Sequence, residues 1–469
     1  MTNILRSINP TTGAMLAEYP ALSSADLEQR LARAAAVAPR WRRTAVAERA
    51  AVVARLGDLL EREKDRLGRL MTLEMGKPIQ AAIDEAAKCA AGCRFYAEHG
   101  PGFVSDLRVD DEGHRSFVTY EPLGVVLAVM PWNFPFWQVI RFAAPALVAG
   151  NVGLLKHASN VPGCALELQS LIERAGAPEG VFQALLIGSD AVSGILADPR
   201  VAAATLTGSE GAGRSVAQHA GEHLKKTVLE LGGSDAFVVM PSAELDRAVK
   251  TAVQARTINN GQSCIAAKRF IVHKAIAEPF IAGFTSGMRA LRMGDPLDSA
   301  TQLGPLATAK LAEELEVQVT ESVAKGARLM CGGHRPAPES AFFPPTVLTH
   351  IPPESPAYRD ELFGPVGCVF VARDMDDAIR IANDTRFGLG ASAWTTDPAE
   401  QERFARELEA GSVFVNDMVV SDPRFPFGGV KASGYGRELS DVGLREFTNV
   451  KTVRMRIGDG GSRSGQSTE

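Results

Sequence analysis

The sequence predicts an α/β protein with two doubly wound α/β domains. Short continuous apolar segments alternate with longer helix-forming segments, which is the pattern of buried parallel strands and their crossover helices. One series of such segments begins at Val125, and a second series begins near Asp235. A chain of 469 residues, of which 45% are hydrophobic and 22% charged, is long enough for two or three domains.

The N-terminal part of the chain is predicted to be mainly helical. Residues 9–13 indicate a turn between two short extended pieces, and Ser23 with Asp26 gives a helix-capping signal. Strong helix formers follow as far as Met75, which predicts one helical region. A second helix is predicted over residues 79–98, because a Gly-Pro-Gly segment follows it.

The two series of predicted strands define the two domains. In the first series, apolar segments with helices between them occur at residues 125–130, 151–155, 181–187 and 202–207. In the second series, strand signals occur at residues 236–240, 269–272, 327–329, 368–371 and 413–416. The Gly/Ser-rich tail at residues 459–469 is predicted to be disordered.

The composition excludes several classes of protein. The net charge of −5, with lysine and arginine dispersed along the chain, does not favour nucleic-acid binding. Pro131, Asn133 and Pro135 interrupt the most apolar run, residues 124–140, so no membrane span is predicted. Residues 1–10 lack the apolar segment of a signal peptide, and the six cysteines lack metal-ligand spacing. We therefore expect a cytoplasmic protein without a metal site.

Cys264 is the candidate nucleophile. It ends the segment Asn259-Asn260-Gly261-Gln262-Ser263-Cys264, which lies between a predicted helix at 245–258 and the predicted strand at 269–272. A reactive thiol must be accessible and close to groups that favour the thiolate, and a nearby glycine lets the main chain approach a substrate. The alternative is an inert buried thiol, as most free cysteines are.

A candidate nucleotide site follows two of the predicted strands. Gly208 and Ser209 form a turn between a buried strand and a helix, where free main-chain amides and the helix dipole can bind phosphate. Lys156, at the end of another buried strand, could reach a ribose or a phosphate. The alternatives are an ordinary strand-to-helix turn and a surface lysine.

Two further side chains suggest catalytic roles. Glu230 is a lone carboxylate in an apolar stretch before two glycines, which makes it a candidate general base with a raised pKa. Asn133 follows a predicted strand at the edge where α/β sites form, and its amide could donate to an oxyanion. The alternatives are a carboxylate facing solvent and a simple turn asparagine.

Six motifs, in order along the chain, resemble those of the aldehyde dehydrogenase superfamily. They are Glu74-Met75-Gly76-Lys77-Pro78, Pro131-Trp132-Asn133-Phe134-Pro135, Glu230-Leu231-Gly232-Gly233, Gly261-Gln262-Ser263-Cys264, Glu361-Leu362-Phe363-Gly364-Pro365 and Phe427-Gly428-Gly429-Val430-Lys431. The resemblance covers nearly the whole chain. It extends to the bacterial NAD(P)-dependent succinate-semialdehyde dehydrogenases, particularly the branch with Leu154-Leu155-Lys156-His157-Ala158.

The resemblance implies a domain organisation and a homo-oligomer. It places a Rossmann-like NAD(P)-binding domain at residues 1–103 and 123–232 and a catalytic domain at residues 233–432. A small β oligomerisation arm is expected at residues 104–122 and 433–458, with its strands near 117–121 and 448–456. Such an arm implies a homodimer or a homotetramer, because an unpaired edge strand is safer when a partner covers it.

The resemblance also implies a role for each candidate residue. Cys264 would attack the aldehyde, Asn133 and the Cys264 amide would hold the oxyanion, and Glu230 would activate the water that hydrolyses the thioester. Lys156 is expected to be both a catalytic residue and a cofactor-binding residue. The cofactor, NAD or NADP, is expected to bind Trp132, Lys156, Ser159, Gly208, Ser209, Leu231, Glu361 and Phe363.

Ser159 bears on the choice of cofactor. Members of the superfamily that are strict for NAD carry a glutamate three residues after the strand-end lysine. Here that position is Ser159, which removes a charge that would repel a 2′-phosphate. NADP is therefore permitted but not required.

Arg141 and Ser421 match positions by which the semialdehyde-specific members resemble one another. A second arginine, found six residues before the cysteine in some members, is Ile258 here. Recognition of a substrate carboxylate would then depend on Arg141 alone, or on Arg256 by another route. A further alternative is that Arg141 pairs with a carboxylate of the protein itself.

Three classes of function compete. The first is an NAD(P)-dependent semialdehyde dehydrogenase, with a broad-specificity aldehyde dehydrogenase as the variant that Ile258 favours. The second is a cysteine hydrolase or a CoA-acylating enzyme, against which Glu230 argues because it favours water as the acceptor. The third is a structural protein that kept only the fold, which the retained nucleophile, base and oxyanion donor disfavour.

Overall fold

The computed structural model describes residues 4–457, so the tail at 459–469 lies outside the described residues. The described strands are β1 Ile4–Ile8, β2 Met15–Pro20, β3 Leu107–Val109, β4 His114–Pro122, β5 Val125–Met130, β6 Val152–His157, β7 Phe182–Ala184, β8 Val201–Thr207, β9 Lys226–Glu230, β10 Ala236–Val239, β11 Arg269–His273, β12 Arg328–Cys331, β13 Thr346–Thr349, β14 Val366–Ala372, β15 Gly390–Trp394, β16 Ser412–Val415, β17 Gly434–Tyr435 and β18 Thr448–Arg456. The described α-helices are α1 Ser24–Arg43, α2 Val46–Arg62, α3 Lys64–Met75, α4 Ile79–Phe103, α5 Trp137–Ala149, α6 Pro162–Arg174, α7 Val192–Ala197, α8 Glu210–Glu222, α9 Leu245–Thr257, α10 Ala277–Arg289, α11 Ala309–Ala324, α12 Pro356–Arg359, α13 Met375–Asn383, α14 Pro398–Glu407 and α15 Ser440–Arg445.

The first large sheet has the strand order of a dinucleotide-binding fold. Its six strands lie in the order β17-β9-β8-β5-β6-β7, and all neighbours are parallel except β17 with β9. The earliest of its strands in the chain, β5, is central, with β6 and β7 on one side and β8 and β9 on the other. The strand order therefore reverses between β5 and β8, where α/β sheets bind their ligands.

The second large sheet forms a second α/β domain. Its seven strands lie in the order β12-β13-β14-β11-β10-β15-β16, and only β12 is antiparallel to its neighbour. The loop between α9 and β11 carries Cys264. The strands predicted from apolar segments are all present, although β7 is confined to Phe182–Ala184, whereas the sequence predicted residues 181–187.

A third sheet corresponds to the predicted arm. Its three antiparallel strands lie in the order β18-β4-β3, and β18 pairs with β4 along its whole length. One part of the predicted arm segment belongs elsewhere, because β17 joins the first large sheet. The two extended pieces predicted around residues 9–13 form the antiparallel pair β1–β2.

The N-terminal helical region differs from the prediction in two places. The predicted helical region is divided into α1, α2 and α3, although neither break contains glycine or proline. At the first break, Arg49 of α2 donates to the main-chain oxygens of Arg42 and Thr44 at the end of α1. These contacts satisfy carbonyl groups that a helix end leaves free.

Helix α4 continues to Phe103, through the Gly-Pro-Gly segment predicted to follow its end. Gly100 serves packing rather than termination, because a Cβ there would lie 2.7 Å from Val148 Cγ1. No helix among residues 4–457 is both long enough and apolar enough to cross a membrane.

Candidate active site

The main chain before Cys264 has an uncommon conformation. Asn259, Asn260 and Gly261 have φ angles of 55°, 58° and 74° in succession. Such left-handed conformations are tolerated best by glycine and asparagine. At Gly261 a Cβ would also lie 2.3 Å from the carbonyl carbon of Gly364. This strained turn must therefore be held by its surroundings.

The two asparagine side chains tie the turn to neighbouring segments. Asn260 Nδ2 donates to the main-chain oxygens of Gly76 at 3.0 Å and Pro305 at 2.9 Å. Asn259 Nδ2 donates to the main-chain oxygen of Asn133 at 2.7 Å. The last contact joins the cysteine loop to the candidate oxyanion donor of the first domain.

Two buried cations hold the carbonyl groups of the same loop. Arg256 Nη2 donates to the Gly261 oxygen at 2.6 Å. Lys268 Nζ donates to the main-chain oxygens of Ser263 and Cys264, both at 2.9 Å. Arg256 is fully buried in this structural role and is not among the residues that line the pockets at Cys264, which argues against it as a substrate-carboxylate ligand.

Cys264 lies where two pockets meet. The first pocket, of about 770 Å³, is lined by Pro131, Trp132, Asn133, Thr207, Gly208, Ser209, Leu231, Gly232, Cys264, Leu311, Glu361 and Phe363. The second pocket, of about 870 Å³, is lined by Ala81, Asp84, Glu85, Lys88, Phe134, Trp137, Gln138, Arg141, Ile258, Asn259, Ser263, Cys264, Ile265, Val420, Ser421 and Phe427. One thiol is thus reached from two sides.

The first pocket fits a nicotinamide dinucleotide. It opens at the reversal point between β5 and β8, and Ser209 caps α8 by accepting the Ala212 N–H at 3.3 Å. Together with Gly208, this helix N-terminus offers main-chain donors to a phosphate. Trp132 and Phe363 form aromatic walls whose ring centres are 5.8 Å apart.

Glu361 and Leu231 complete that pocket in different ways. Glu361 Oε1 accepts the Gly233 N–H at 3.1 Å and lies 3.3 Å from Lys268 Nζ. The cofactor pocket is therefore linked through Lys268 to the cysteine loop. Leu231 packs against Gly213 of α8, where a Cβ would lie only 2.5 Å from the leucine side chain.

Lys156 and Ser159 lie outside the lining of the first pocket. Lys156 is in β6 beside Val129 of β5, and burial lowers the pKa of its ammonium group. Ser159 follows β6 and lines a separate cleft with Asn160 and Gly188. Both residues are thus near the carboxyl end of β6, beside the reversal point, and their contacts with a cofactor remain predictions.

Asn133 is buried and has donor capacity left. Its Nδ2 donates to the Gln262 oxygen at 3.1 Å, and its Oδ1 has no hydrogen-bond partner among residues 4–457. A side-chain amide nitrogen carries two hydrogens, so one remains for a second acceptor. Because Asn133 lines the same pocket as Cys264, a substrate oxygen at the thiol can be that acceptor.

Glu230 is buried and is not among the residues that line either pocket. Neither carboxyl oxygen has a hydrogen-bond partner within the described range. Burial raises the pKa of Glu230 well above its usual value, and the nearby Glu438 raises it further, while Arg141 and Arg437 lower it. The buried site therefore favours the protonated form of this carboxyl group more than water does.

The thiol of Cys264 is held mainly protonated. Burial raises its pKa to about 12, although the positive charges of Arg141 and Lys268 act in the opposite direction. Attack by this sulfur thus requires that its proton be transferred to another group.

Comparison with known proteins decides the family. A model of the aldehyde dehydrogenase family matches residues 2–453 of the chain. The succinate-semialdehyde dehydrogenase [NADP(+)] of Mycobacterium avium is 54% identical over 467 residues, which cover 99% of this chain and 98% of that protein. The chain belongs to the aldehyde dehydrogenase family.

Solved structures agree with this assignment. The succinic semialdehyde dehydrogenase of Streptococcus pyogenes, in complex with NADP⁺, has a TM-score of 0.94 at 35% identity, over 97% of this chain and 100% of that chain. The succinate-semialdehyde dehydrogenase of Burkholderia pseudomallei also has a TM-score of 0.94 at 35% identity, over 97% and 95% of the two chains. The predicted family and fold class are confirmed.

In this aldehyde dehydrogenase Arg141 already has a partner. Its guanidinium forms a buried ion pair with Glu438 and lies 4.6 Å from the centre of the Phe427 ring. The alternative raised from the sequence, a pairing with a carboxylate of the protein, is thus present. Arg141 and Ser421 both line the second pocket, as expected of substrate residues, and their contact with substrate remains a prediction.

Sequence reasoning did not identify three charged residues of the site. They are Lys88, Lys268 and Glu438. Glu438 acts through Arg141 and Lys268 is linked to Glu361, and these partners are far away in the chain, so no local pattern reveals them. Lys88 lies on α4 close to the motif at residues 74–78, and its proximity to the site could have been inferred only from that motif.

Proposed function

We propose that this aldehyde dehydrogenase oxidises succinate semialdehyde to succinate, with NADP as the cofactor and NAD as the alternative. The observation that carries the proposal is the position of Cys264 between two pockets. The first pocket fits a dinucleotide, and the second is lined by cationic and hydroxyl side chains. The relatives in Mycobacterium avium and Streptococcus pyogenes, which are named for this substrate and for NADP, support it.

The first chemical step forms a bond between Cys264 and the substrate. The Cys264 sulfur bonds to the carbonyl carbon as its proton passes to solvent, and the carbonyl oxygen becomes negative. The free hydrogen of Asn133 Nδ2 and the Cys264 N–H donate to that oxygen. Donors positioned before the charge develops stabilise it most effectively, because they need no reorganisation.

The cofactor residues position the hydride acceptor beside this adduct. NADP or NAD, when bound, supplies the group that accepts a hydride from the substrate carbon. We assign its phosphates to the Gly208–Ser209 turn, its nicotinamide end to Trp132, Leu231 and Phe363, and its riboses to Lys156 and Glu361. Ser159 carries no negative charge, so a 2′-phosphate is accepted there.

Glu230 then assists hydrolysis of the thioester left on Cys264. A water oxygen bonds to the acyl carbon while Glu230 takes its proton, and the carbon–sulfur bond breaks to release the acid and the thiolate. For this step the carboxyl group must be ionised and turn towards the pocket. Its raised pKa makes the ionised group a stronger base than an exposed carboxylate.

A steady-state screen tests the proposed substrate and cofactor. Succinate semialdehyde and its neutral primary amide are each oxidised with NADP or NAD, and reduced nicotinamide is followed by absorbance. We expect the highest kcat/KM for succinate semialdehyde with NADP. Equal values for the acid and the amide would favour the alternative of a broad-specificity enzyme, to which the apolar Ile258 in the pocket points.

We also propose a cytoplasmic homodimer or homotetramer with the domain limits expected from the sequence, except that β17 belongs to the first large sheet. Strand β18 is at the edge of its sheet, and Val450 and Met455 on it are 60% and 40% exposed. An exposed edge strand with apolar side chains is a template for pairing with a second chain.

The oligomer is tested by light scattering at micromolar concentration. We expect a mass of at least twice the 49.9 kDa of one chain. A single-chain mass under these conditions would contradict the proposal. Truncation after residue 447, which removes β18, should lower the assembly state if this strand forms the contact.

A further inference from the structure

Lys88 is a cation of the second pocket that has no ionic partner. It lies on α4, and its Nζ donates to Ser421 Oγ at 2.7 Å. The same nitrogen lies 4.5 Å from the centre of the Trp137 ring. Within residues 4–457 Lys88 forms no ion pair with a carboxylate, although it lines the pocket that contains Cys264.

We propose that Lys88 is the specificity-determining residue that binds the substrate carboxylate. The inference rests on the proposed function, and it assigns the recognition of the acid group to a lysine on α4, with Ser421 as its companion donor. Arg141 contributes positive potential to the same pocket but not the principal ionic contact.

The partner of Arg141 is the first reason. The Arg141 guanidinium is paired with Glu438, and both side chains are almost fully buried, at 2% and 4% exposure. A substrate carboxylate that approached Arg141 would have to compete with Glu438 or lie next to a like charge. Arg141 is therefore already engaged by a carboxylate of the protein, although its positive charge still acts on Lys88 and Cys264.

The carboxylates around Lys88 are the second reason, because each is engaged elsewhere. Glu85 forms a buried ion pair with Lys77 and accepts the main-chain N–H groups of Phe136 and Trp137. Two others have their own donors, although Asp84 also lines the pocket. Asp84 accepts from Gln80 Nε2 at 2.9 Å, and Asp422 binds Arg424.

The hydrogen-bond directions at Ser421 are the third reason. Ser421 Oγ accepts from Lys88 Nζ at 2.7 Å and from Trp137 Nε1 at 3.1 Å. With both acceptor positions used, its own hydroxyl hydrogen is left to donate. An ammonium group has three hydrogens, of which Lys88 uses one on Ser421. Lys88 and Ser421 thus present adjacent donors, which is what a two-oxygen anion requires.

The charge state of Lys88 supports the same role. Burial, and next the positive charge of Arg141, lower its pKa to about 8, while Cys89, Glu85 and Asp422 act weakly in the opposite direction. The ammonium form predominates below pH 8 and is lost above it. The preference for the acid over its neutral amide should therefore decline as the pH rises through about 8, while oxidation of the amide should not show this decline.

The decisive experiment replaces Lys88 by methionine, which keeps the length of the side chain and removes its charge. We expect kcat/KM for succinate semialdehyde to fall by about 10- to 100-fold, mainly through KM, with little change for the primary amide. Lys88→Arg should restore much of the preference. Lys325→Met, at an exposed lysine that donates to the Glu354 main-chain oxygen, is the matched control and should change neither substrate.

The outcomes separate this inference from the proposed function. If the unmodified enzyme does not prefer the acid over the amide, the proposed substrate is wrong. If it prefers the acid and Lys88→Met retains that preference, the assignment of Lys88 is wrong. Equal losses on both substrates, with an unchanged melting temperature, would show that Lys88 only positions the Ser421 and Trp137 side chains. The pH dependence of the acid-to-amide ratio in the unmodified enzyme gives an independent measurement.

Discussion

Replacement of Cys264 by serine is expected to reduce aldehyde oxidation by at least about three orders of magnitude, with cofactor binding retained. A serine hydroxyl is a much weaker acid than even a thiol whose pKa is raised to about 12. No base among the described residues is hydrogen-bonded to the side chain at position 264, so the hydroxyl would not be activated. The measurements are steady-state turnover and quenching of tryptophan fluorescence by NADP.

A second cysteine provides the control for this substitution. Cys331 is also free and partly buried, but it lies in β12, where its sulfur donates to the Pro345 oxygen. Cys331→Ser can keep that hydrogen bond and should leave turnover unchanged. Substantial activity in Cys264→Ser would exclude covalent catalysis by this residue.

The α/β architecture could be predicted because its signals are local. A continuous apolar run such as residues 125–130 is typical of a strand that is buried on both faces of a parallel sheet. The run predicts such a strand whatever position the strand takes in the sheet. The division of residues 24–75 into three helices was missed for the opposite reason. Neither break contains a helix-breaking residue, and at the first break the end of α1 is stabilised by Arg49, a contact that forms only in the folded chain.

The candidate site was predictable to the extent that it depends on motifs. Cys264, Asn133 and the Gly208–Ser209 turn each lie within a motif or follow a predicted strand, and all line one pocket in the structure. The sequence could not indicate which charged side chains pair with one another. The pairing of Arg141 with Glu438 joins segments that no sequence pattern relates.

The position of Lys88 in the pocket also could not be predicted from the sequence. A lysine on a helix usually faces solvent, with its stem on apolar surface. Only the packing of α4 beside α5 brings its ammonium group over Trp137 and next to Ser421. Under the proposed role of Lys88, specificity depends on which cation of the pocket has no carboxylate partner, and only the three-dimensional arrangement shows this.

Replacement of Glu230 by glutamine is expected to stop the reaction after the first hydride transfer. No water reacts when the thioester forms, so this step does not need Glu230 to accept a proton from water. Hydrolysis of the thioester does need it. One equivalent of reduced nicotinamide per active site should appear as a burst, followed by turnover lowered about 10²- to 10⁴-fold. Rapid-mixing absorbance measures both phases, and the melting temperature confirms that the glutamine variant is folded.

The pH dependence and a chemical rescue distinguish loss of the base from a general defect. Because burial and Glu438 raise the pKa of Glu230, the unmodified enzyme should hydrolyse the thioester faster as the pH rises through that pKa, and Glu230→Gln should lose this dependence. Hydroxylamine attacks a thioester without a base, so it should restore turnover to the variant and yield a hydroxamate. A variant with no burst, or with a steady rate equal to that of the unmodified enzyme, would remove Glu230 from the hydrolytic step.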